Sequence, residues 1–573
     1  MYYQRGLISQ LGIEKHPRAG LLCRDGYAKP SKLVLATLPL ANFLGIAMNR
    51  EAFLNSASAL ELQDVRHTPG SSTKAPTEED LTRAPSGPKD KDDGSVRQGE
   101  QGPAQDANLV DWDGPDDPKN PQNWSWQRKL VTTVVLALCT FSVSFGSSIL
   151  ASAIGVLSKE YGVSPTVTTL NVTLYVLGFA AGPWVWGPTS EYVGRYWPLV
   201  IGYIGFMCFT VGVACAQNLH TIMICRFMQG GWGVATVTVV PGVFVDLWDI
   251  RTRGLATIAW AATIVIGPTM GPIIGSFTVK NENLGWRWTM WFTLIISAFF
   301  FILVLICFEE TWGPIILQKK AKRLRYETKN WALHSKRDDA PVDSRALLRK
   351  YGLKPWQMLI REPILVCICM YNSLIYGVIY LTFEAFPYTF GTVRQWEDGV
   401  SSLPFLSLLV GYLGAAIIQT FIHLQIVDKK LAQGIRPAPE DQLPTMILGS
   451  FLLTIGLFWF AWTSSPNITW VPQVLAGPFI GCGINMVFVP CLNYLIECYL
   501  VDANSALAAN TIIRSAVAAG FPLFATPMFA NLGVAWATSV LGFLCVAFIP
   551  APIVFYLYGK KIRGWSKFAF DIN

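Results

Sequence analysis

Three charged side chains stand inside apolar stretches of this 573-residue sequence: Arg226, Glu384 and Arg514. A carboxyl group held among apolar residues favours its protonated form. Glu384 is therefore a candidate to bind and release a proton as access to it alternates, and a snorkelling or structurally paired side chain accounts for it equally well. An arginine keeps its proton at any attainable pH. Arg226 is thus fitted to perturb a neighbouring carboxylate or to orient a hydrogen-bond network, with satisfaction by helix carbonyls as the structural alternative. Arg514 offers its charge to a carboxylate, to an anionic group of a substrate, or to helix packing. The three form a candidate proton-coupling and charge network.

Neutral polar groups recur on the same apolar stretches. Asn171 with Tyr175, and Asn372 with Tyr376, share helix faces at a spacing of four. Asn485 and Asn493 add two further amides. These six are candidates to line a substrate cavity, where polar groups orient a ligand and aromatics supply contact area; hydrogen bonding between helices is the alternative. Residues 266–277 read I-G-P-T-M-G-P-I-I-G-S-F, so Gly267, Gly271 and Gly275 form a bare stripe while Pro268 and Pro272 remove backbone donors. Such a helix is poor in water. In a bilayer, small residues let two backbones approach and neighbours re-satisfy the freed carbonyls.

No P-loop, H-E-x-x-H or G-x-S-x-G pattern occurs, which leaves an enzyme reading without support. Energy for any transport then comes from an ion gradient or from the substrate's own gradient. No cofactor or metal is implied: the twelve Cys fall mostly in apolar stretches and read as small buried residues.

These residues need membrane-spanning helices to hold them. Hydrophobic residues make up 52% of the chain and charged residues 14%, against about 25% charged in soluble domains; the mean hydropathy is +0.37. The polar residues concentrate ahead of position 128. From there run apolar stretches of bilayer length, near 130–155, 165–187, 198–216, 220–245, 255–277 and 288–308. After a charged interval come 363–386, 400–422, 443–463, 470–495, 505–529 and 533–558. The fold class expected is an all-α polytopic membrane protein with twelve transmembrane helices in two six-helix bundles. Its parts are a disordered N-terminal tail (1–127), a first bundle (128–308), a central loop (309–362), a second bundle (363–558) and a C-tail (559–573).

Lys and Arg concentrate on one side: Arg195, Arg251, Arg253, Lys429, Lys430, Arg436, the central loop, and Lys560, Lys561, Arg563 and Lys567 in the C-tail. The other side holds Lys159, Lys280, Arg287 and Arg394. This places both termini in the cytoplasm and accounts for the net charge of +7 without nucleic acid. Of three glycosylation sequons, at Asn123, Asn171 and Asn467, only Asn467 faces outward, in a short loop. Met48 is a candidate true start, leaving residues 1–47 outside the mature protein; an N-terminal peptide from before Met48 would show otherwise.

Several motifs carry a resemblance. Residues 187–196, G-P-T-S-E-Y-V-G-R-Y, resemble the cytoplasmic loop signature of the major facilitator superfamily in its fungal drug:proton antiporter form, G-P-x-S-E-x-x-G-R-R. Tyr196 replaces the usual second Arg. Residues 224–233 resemble R-x-x-Q-G-x-G, and 267–275 resemble the antiporter motif G-x-x-x-G-P-x-x-G. N-P-x-N-W-S at 120–125, G-W-R-W at 285–288, F-E-A-F-P at 383–387 and S-A-L-A-A-N-T-I-I-R-S at 505–515 extend the likeness along the chain.

The resemblance implies a cytoplasmic gate of Gly187, Glu191, Gly194, Arg195 and Asp246. In it Glu191 meets the helix start near Ser505, and Arg195 reaches Asp246. Arg195→Ala should then abolish transport at normal surface abundance. It also implies that Gly267, Pro268, Gly271, Pro272 and Gly275 seal the outer side against a helix of the other half and suppress a proton leak. The expected activity is proton-coupled efflux of lipophilic or amphipathic small molecules by alternating access, such as drugs, antifungals or toxic secondary metabolites of a fungal producer. The protein would act as a monomer, in the plasma membrane or alternatively the vacuolar one. A nutrient uptake symporter on the same fold and a non-transporting membrane sensor are the rival readings.

Overall fold

The computed structural model describes residues 106, 108–339, 353–435, 437–499, 502–564, 566 and 568. Most of the tail expected to be disordered, with the alternative start at Met48, lies outside the described residues, as do Arg436, Lys567 and residues 340–352 of the central loop. Residues 108–125, placed with the tail on composition, carry structure of their own. A short turn of helix at Pro121–Asn123 is capped by Asn120, and Asn123 donates its side-chain amide to the carbonyls of Pro115 (2.6 Å) and Asp117 (3.1 Å).

The first half comprises α1 (Trp126–Ser148), which passes through a 3-10 stretch into α2 (Ile154–Tyr161), then α3 (Pro165–Ala181), α4 (Pro183–Tyr192), α5 (Tyr196–Ala214), α6 (Leu219–Gly233), α7 (Ala235–Leu247), α8 (Ile250–Lys280) and α9 (Arg287–Cys307). Two polar helices follow, α10 (Gly313–Thr328) and α11 (Lys354–Arg361). The second half holds α12 (Pro363–Phe386), α13 (Phe405–Ala432), α14 (Leu443–Trp462), α15 (Trp470–Cys498), α16 (Ala503–Phe548) and α17 (Pro550–Arg563). No strand forms among the described residues.

Ten helical stretches among the described residues are long and apolar enough to cross a bilayer. Two proline and glycine effects separate this from the twelve expected. The stretch 165–187 divides at Gly182–Pro183 into helices of 17 and 10 residues, because Pro183 brings no N–H to the ladder. At the other end, one 61-residue helical stretch, Ala503–Arg563, contains both of the last two expected segments. Its turn is a single non-helical residue, Gly533 (φ 72°, ψ 162°), a backbone geometry glycine adopts without the Cβ penalty.

Helix α8 is one of the helices through which the two halves meet, and it uses separate faces for each. The glycine stripe lies on α1 of its own half. A Cβ on Gly267 would sit 2.8 Å from the Phe145 N, one on Gly271 2.8 Å from the Ile149 N, and one on Gly275 2.5 Å from the Ile149 O. The expected seal against a helix of the other half is therefore corrected: the bare face is spent on close packing within the first half. Pro272 has no N–H for the carbonyl of Pro268, and Ser148 Oγ donates to that carbonyl instead (2.6 Å). Ser152 Oγ also crosses to α8, donating to Pro272 O (3.3 Å).

The other face of α8 meets the second half through Thr269 Oγ1, which donates to Tyr412 Oη (3.5 Å), and through Ser276 Oγ, 2.6 Å from Ser402 Oγ. Gly271→Ala should lower the melting temperature of the detergent-solubilised protein, by about 1–3 kcal/mol of overpacking. The obstacle is backbone, with the Ile149 N at 2.8 Å and the Phe145 O at 3.1 Å. An unchanged melting curve would mean that α1 and α8 separate more easily than this packing allows.

Candidate functional site

The end of the molecule carrying α4, α10 and α11 is its basic end. There the chain turns from α4 into α5 through Gly194, whose φ of 102° suits glycine. A Cβ at this position would meet the Glu310 carboxylate at 2.7 Å. Glu310 in turn accepts from the backbone N–H groups of Arg195 (2.8 Å), Tyr196 (3.2 Å) and Trp312 (2.9 Å), capping the start of α5. Arg195 is 3% exposed. Its Nε donates to Asp246 Oδ2 (3.2 Å) and its Nη1 to Ser190 Oγ (3.1 Å), while the guanidinium stacks 4.5 Å above the Trp312 ring. Gly242 leaves the room for it, since a Cβ there would lie 2.7 Å from Arg195 Cζ.

Glu191 accepts from Asn504 Nδ2 (2.6 Å) in the first turn of α16, so this loop touches the second half. Gly187 is buried, and a Cβ added to it would meet nothing within 4 Å. A second bridge between the halves at this end pairs Arg251 with Asp428 (2.7 Å). At the opposite end Lys280 pairs with Glu397 (2.8 Å), and that hydrogen bond holds the Glu397 carboxyl below the usual carboxylate range. Asn467 is exposed at this end.

Midway between the ends, each of the two buried arginines stands over a tyrosine ring. Arg226, with no exposed surface, donates to the carbonyls of Asn171 (3.1 Å), Gly146 (2.7 Å) and Ser147 (2.7 Å) and to Gln229 Oε1 (3.0 Å). It lies 4.4 Å from the centre of the Tyr175 ring, and Tyr175 Oη donates to Val143 O (2.7 Å). Ser147 then accepts from Tyr380 Oη of the second half (3.1 Å). Tyr380 packs edge-on against Tyr376 at 5.1 Å, and Tyr376 lies 4.4 Å below the guanidinium of Arg514. A chain of contacts thus runs across the junction from Arg226 through Ser147, Tyr380 and Tyr376 to Arg514. Neither arginine forms an ion pair among the described residues.

The remaining candidates divide. Asn372 Nδ2 donates to Asn510 Oδ1 (3.2 Å), leaving Asn372 Oδ1 and Asn510 Nδ2 without partners among the described residues. Both side-chain polar atoms of Asn171 and the hydroxyl of Tyr376 are likewise unpaired. Asn485 stands apart from this group, bridging α15 to Gln419 and to the Tyr412 carbonyl on α13 (both 3.4 Å). Asn493 is buried on α15 with its Nδ2 unpaired. Glu384 is half-buried near the end of α12, where Thr526 Oγ1 of α16 donates to it (3.4 Å). The structure does not bring Glu384 into contact with either buried arginine.

A narrow cavity lies between the halves, with about 20 Å³ of room for a water-sized body in this conformation. Val237, Trp260 and Ile264 wall it from the first half, and Leu492, Leu507 and Arg514 from the second. Tyr380, Glu310 and Trp312 were not singled out from the sequence. The spacing of Tyr376 and Tyr380 by four residues was a signal for the first. Glu310 sits 115 residues from the backbone it caps, a distance across which no local pattern reads.

Known proteins resemble this chain in sequence and in fold. A sequence profile described as Major Facilitator Superfamily matches residues 136–523. The chain is 50% identical over 472 residues to the citrinin biosynthesis cluster MFS transporter mrr1 of Monascus ruber, covering 82% of this chain and 94% of that one. It is 49% identical over 470 residues to the ascochitine biosynthesis cluster MFS transporter of Didymella fabae, covering 82% and 91%. Among solved structures, the proton:xylose symporter XylE bound to 6-bromo-6-deoxy-D-glucose aligns with a TM-score of 0.56. That alignment has 14% identity over 76% of this chain and 96% of that chain, a likeness of fold alone.

Proposed function

The chain belongs to the major facilitator superfamily, and from that premise we propose that it exports an amphipathic small molecule in exchange for protons. It is a multi-pass membrane transporter and not an enzyme. The observation that carries the transport reading is the small cavity at the junction, walled by residues of both halves. Rocking one half against the other exposes such a cavity to either side in turn. Two relatives are named as transporters of biosynthesis clusters, which supports a secondary metabolite as cargo.

In this reading the chain crosses the membrane twelve times with both termini in the cytoplasm, and acts as a monomer in the plasma membrane. The basic end is cytoplasmic. Arg195, Asp246, Glu191 and Asn504 hold that end closed while the cavity faces out, and Asn467 is an outward glycosylation acceptor. Glu384 carries the exchanged proton, since it is a half-buried carboxyl with one neutral hydrogen-bond partner, Thr526.

Two measurements test this. A deletion strain should become sensitive to particular compounds in a toxicity panel and be rescued by the intact gene. In vesicles under an imposed pH gradient, Glu384→Gln should lose at least tenfold of the uphill flux while keeping downhill exchange. Full uphill transport by Glu384→Gln would remove Glu384 from coupling, and net uptake by the wild type would replace export with import.

A further inference from the structure

We infer that the cavity takes an organic anion, with Arg514 as the group that binds its carboxylate or an equivalent acidic oxygen pair. The inference rests on the transport reading only for the statement that an occupant is carried; the binding chemistry stands on the geometry of the cavity.

The two buried arginines differ in a way that separates structure from recognition. Arg226 has spent its donors on three backbone carbonyls and a glutamine. Arg514 is 1% exposed, and its Nε and Nη2 meet no hydrogen-bond acceptor among the described residues. What Arg514 does have is aromatic surface: the Tyr376 ring at 4.4 Å and the Phe488 ring at 5.0 Å from Cζ. Rings hold a guanidinium by its face and leave the N–H groups, which lie in its plane, directed elsewhere. Arg514 lines the cavity between the halves.

No Asp or Glu lines that cavity, so its one charge is positive. A buried, unpaired guanidinium is costly, and an incoming group relieves the cost only by bringing both negative charge and acceptors. A carboxylate does both and matches the two-pronged N–H edge. Neutral amides or alcohols bring acceptors without charge, and an organic cation is repelled. Trp260, Ile264, Leu492 and Leu507 supply an apolar surround for the rest of the molecule. The ligand class is thus an amphipathic acid: an apolar body with one acidic group.

Three probes sharing one ring system test this on the full-length protein in detergent: 1-naphthoate, 1-naphthamide and 1-naphthylmethylammonium. Binding to the wild type, followed by ligand-induced thermal stabilisation, should rank the acid first and the cation last. Arg514→Met should weaken naphthoate by at least about tenfold and leave the amide unchanged, and Arg514→Lys should keep part of the acid's advantage. The wild-type ranking stands even where Arg514→Met does not fold. Equal affinity for acid and amide, absence of naphthoate binding to the wild type, or an Arg514→Met protein that retains it would each overturn the inference. Arginine-dependent binding of naphthoate with no efflux of any compound in the vesicle assay would instead sink the export reading and leave the anion site in place.

Discussion

Arg226→Met is expected to leave little folded protein, and the loss should appear before any defect of transport is measurable. Helix α1 gives way to a 3-10 stretch at Ile149–Ala153, and just before that change the carbonyls of Gly146 and Ser147 each take a 2.7 Å bond from Arg226. The same guanidinium reaches Asn171 O on α3 from its own helix, α6. One side chain therefore ties three helices at a place with no water. Methionine fills the volume and abandons four acceptors, three carbonyls and Gln229 Oε1, at about 1–3 kcal/mol each, which is a large share of the stability of a folded domain. Lysine recovers one or two of the bonds. Size-exclusion chromatography of a fluorescent fusion, with melting curves for the wild type, Arg226→Lys and Arg226→Met, reads the result. A monodisperse Arg226→Met protein that melts like the wild type yet moves nothing would return Arg226 to the chemistry of coupling. That was the reading the sequence favoured and the carbonyl contacts argue against.

What the sequence showed depended on whether the cause was local. Apolar length placed the helices, because a bilayer sets that length for each segment separately. Proline and glycine marked where α8 is thin and where its carbonyls need help, because removing an N–H or a Cβ acts at the residue itself. The partner of the thin face was not legible. Small residues on a helix say that something comes close, and α1 and a helix of the second half satisfy that statement equally; only the packing chooses α1. The same limit applies to Arg514 and Arg226. In the sequence both are lone cations in apolar helices, and they separate only when one is seen among carbonyls and the other between two rings. Glu310 was invisible for a related reason: as a loop carboxylate it reads as solvated, until α5 starts beside it. The two merged or divided helices show the converse, where a cheap backbone change, one glycine in α16 and one Gly–Pro step after α3, decides how a chain is partitioned without altering its hydropathy.

Arg195 and Asp246 give the second large effect, and here one substitution is less informative than two. Arg195→Ala should abolish efflux, but the structure revises the expectation of normal abundance. Asp246 has a side chain 10% exposed and Arg195 one 3% exposed, so the alanine strands a buried carboxylate with the long bond from Thr311 Oγ1 (3.4 Å) in place of its ion pair. Breaking a buried pair from one side costs about 3–5 kcal/mol, whereas replacing both partners by apolar residues of similar volume is close to neutral. The double variant Arg195→Met with Asp246→Leu should therefore regain the melting temperature and surface level that each single change loses. If the pair serves only to hold α4, α5 and α7 together, efflux returns with the fold. If it is part of a latch that must form and release, as proposed, a well-folded double variant stays at least about tenfold below wild-type efflux while still binding its ligand, because an apolar contact lacks the directional donors that fix the closed loop. Recovered stability with recovered transport would end the latch reading. Recovered stability without transport separates the pair's work in the cycle from its work in the fold, a separation that neither single variant achieves.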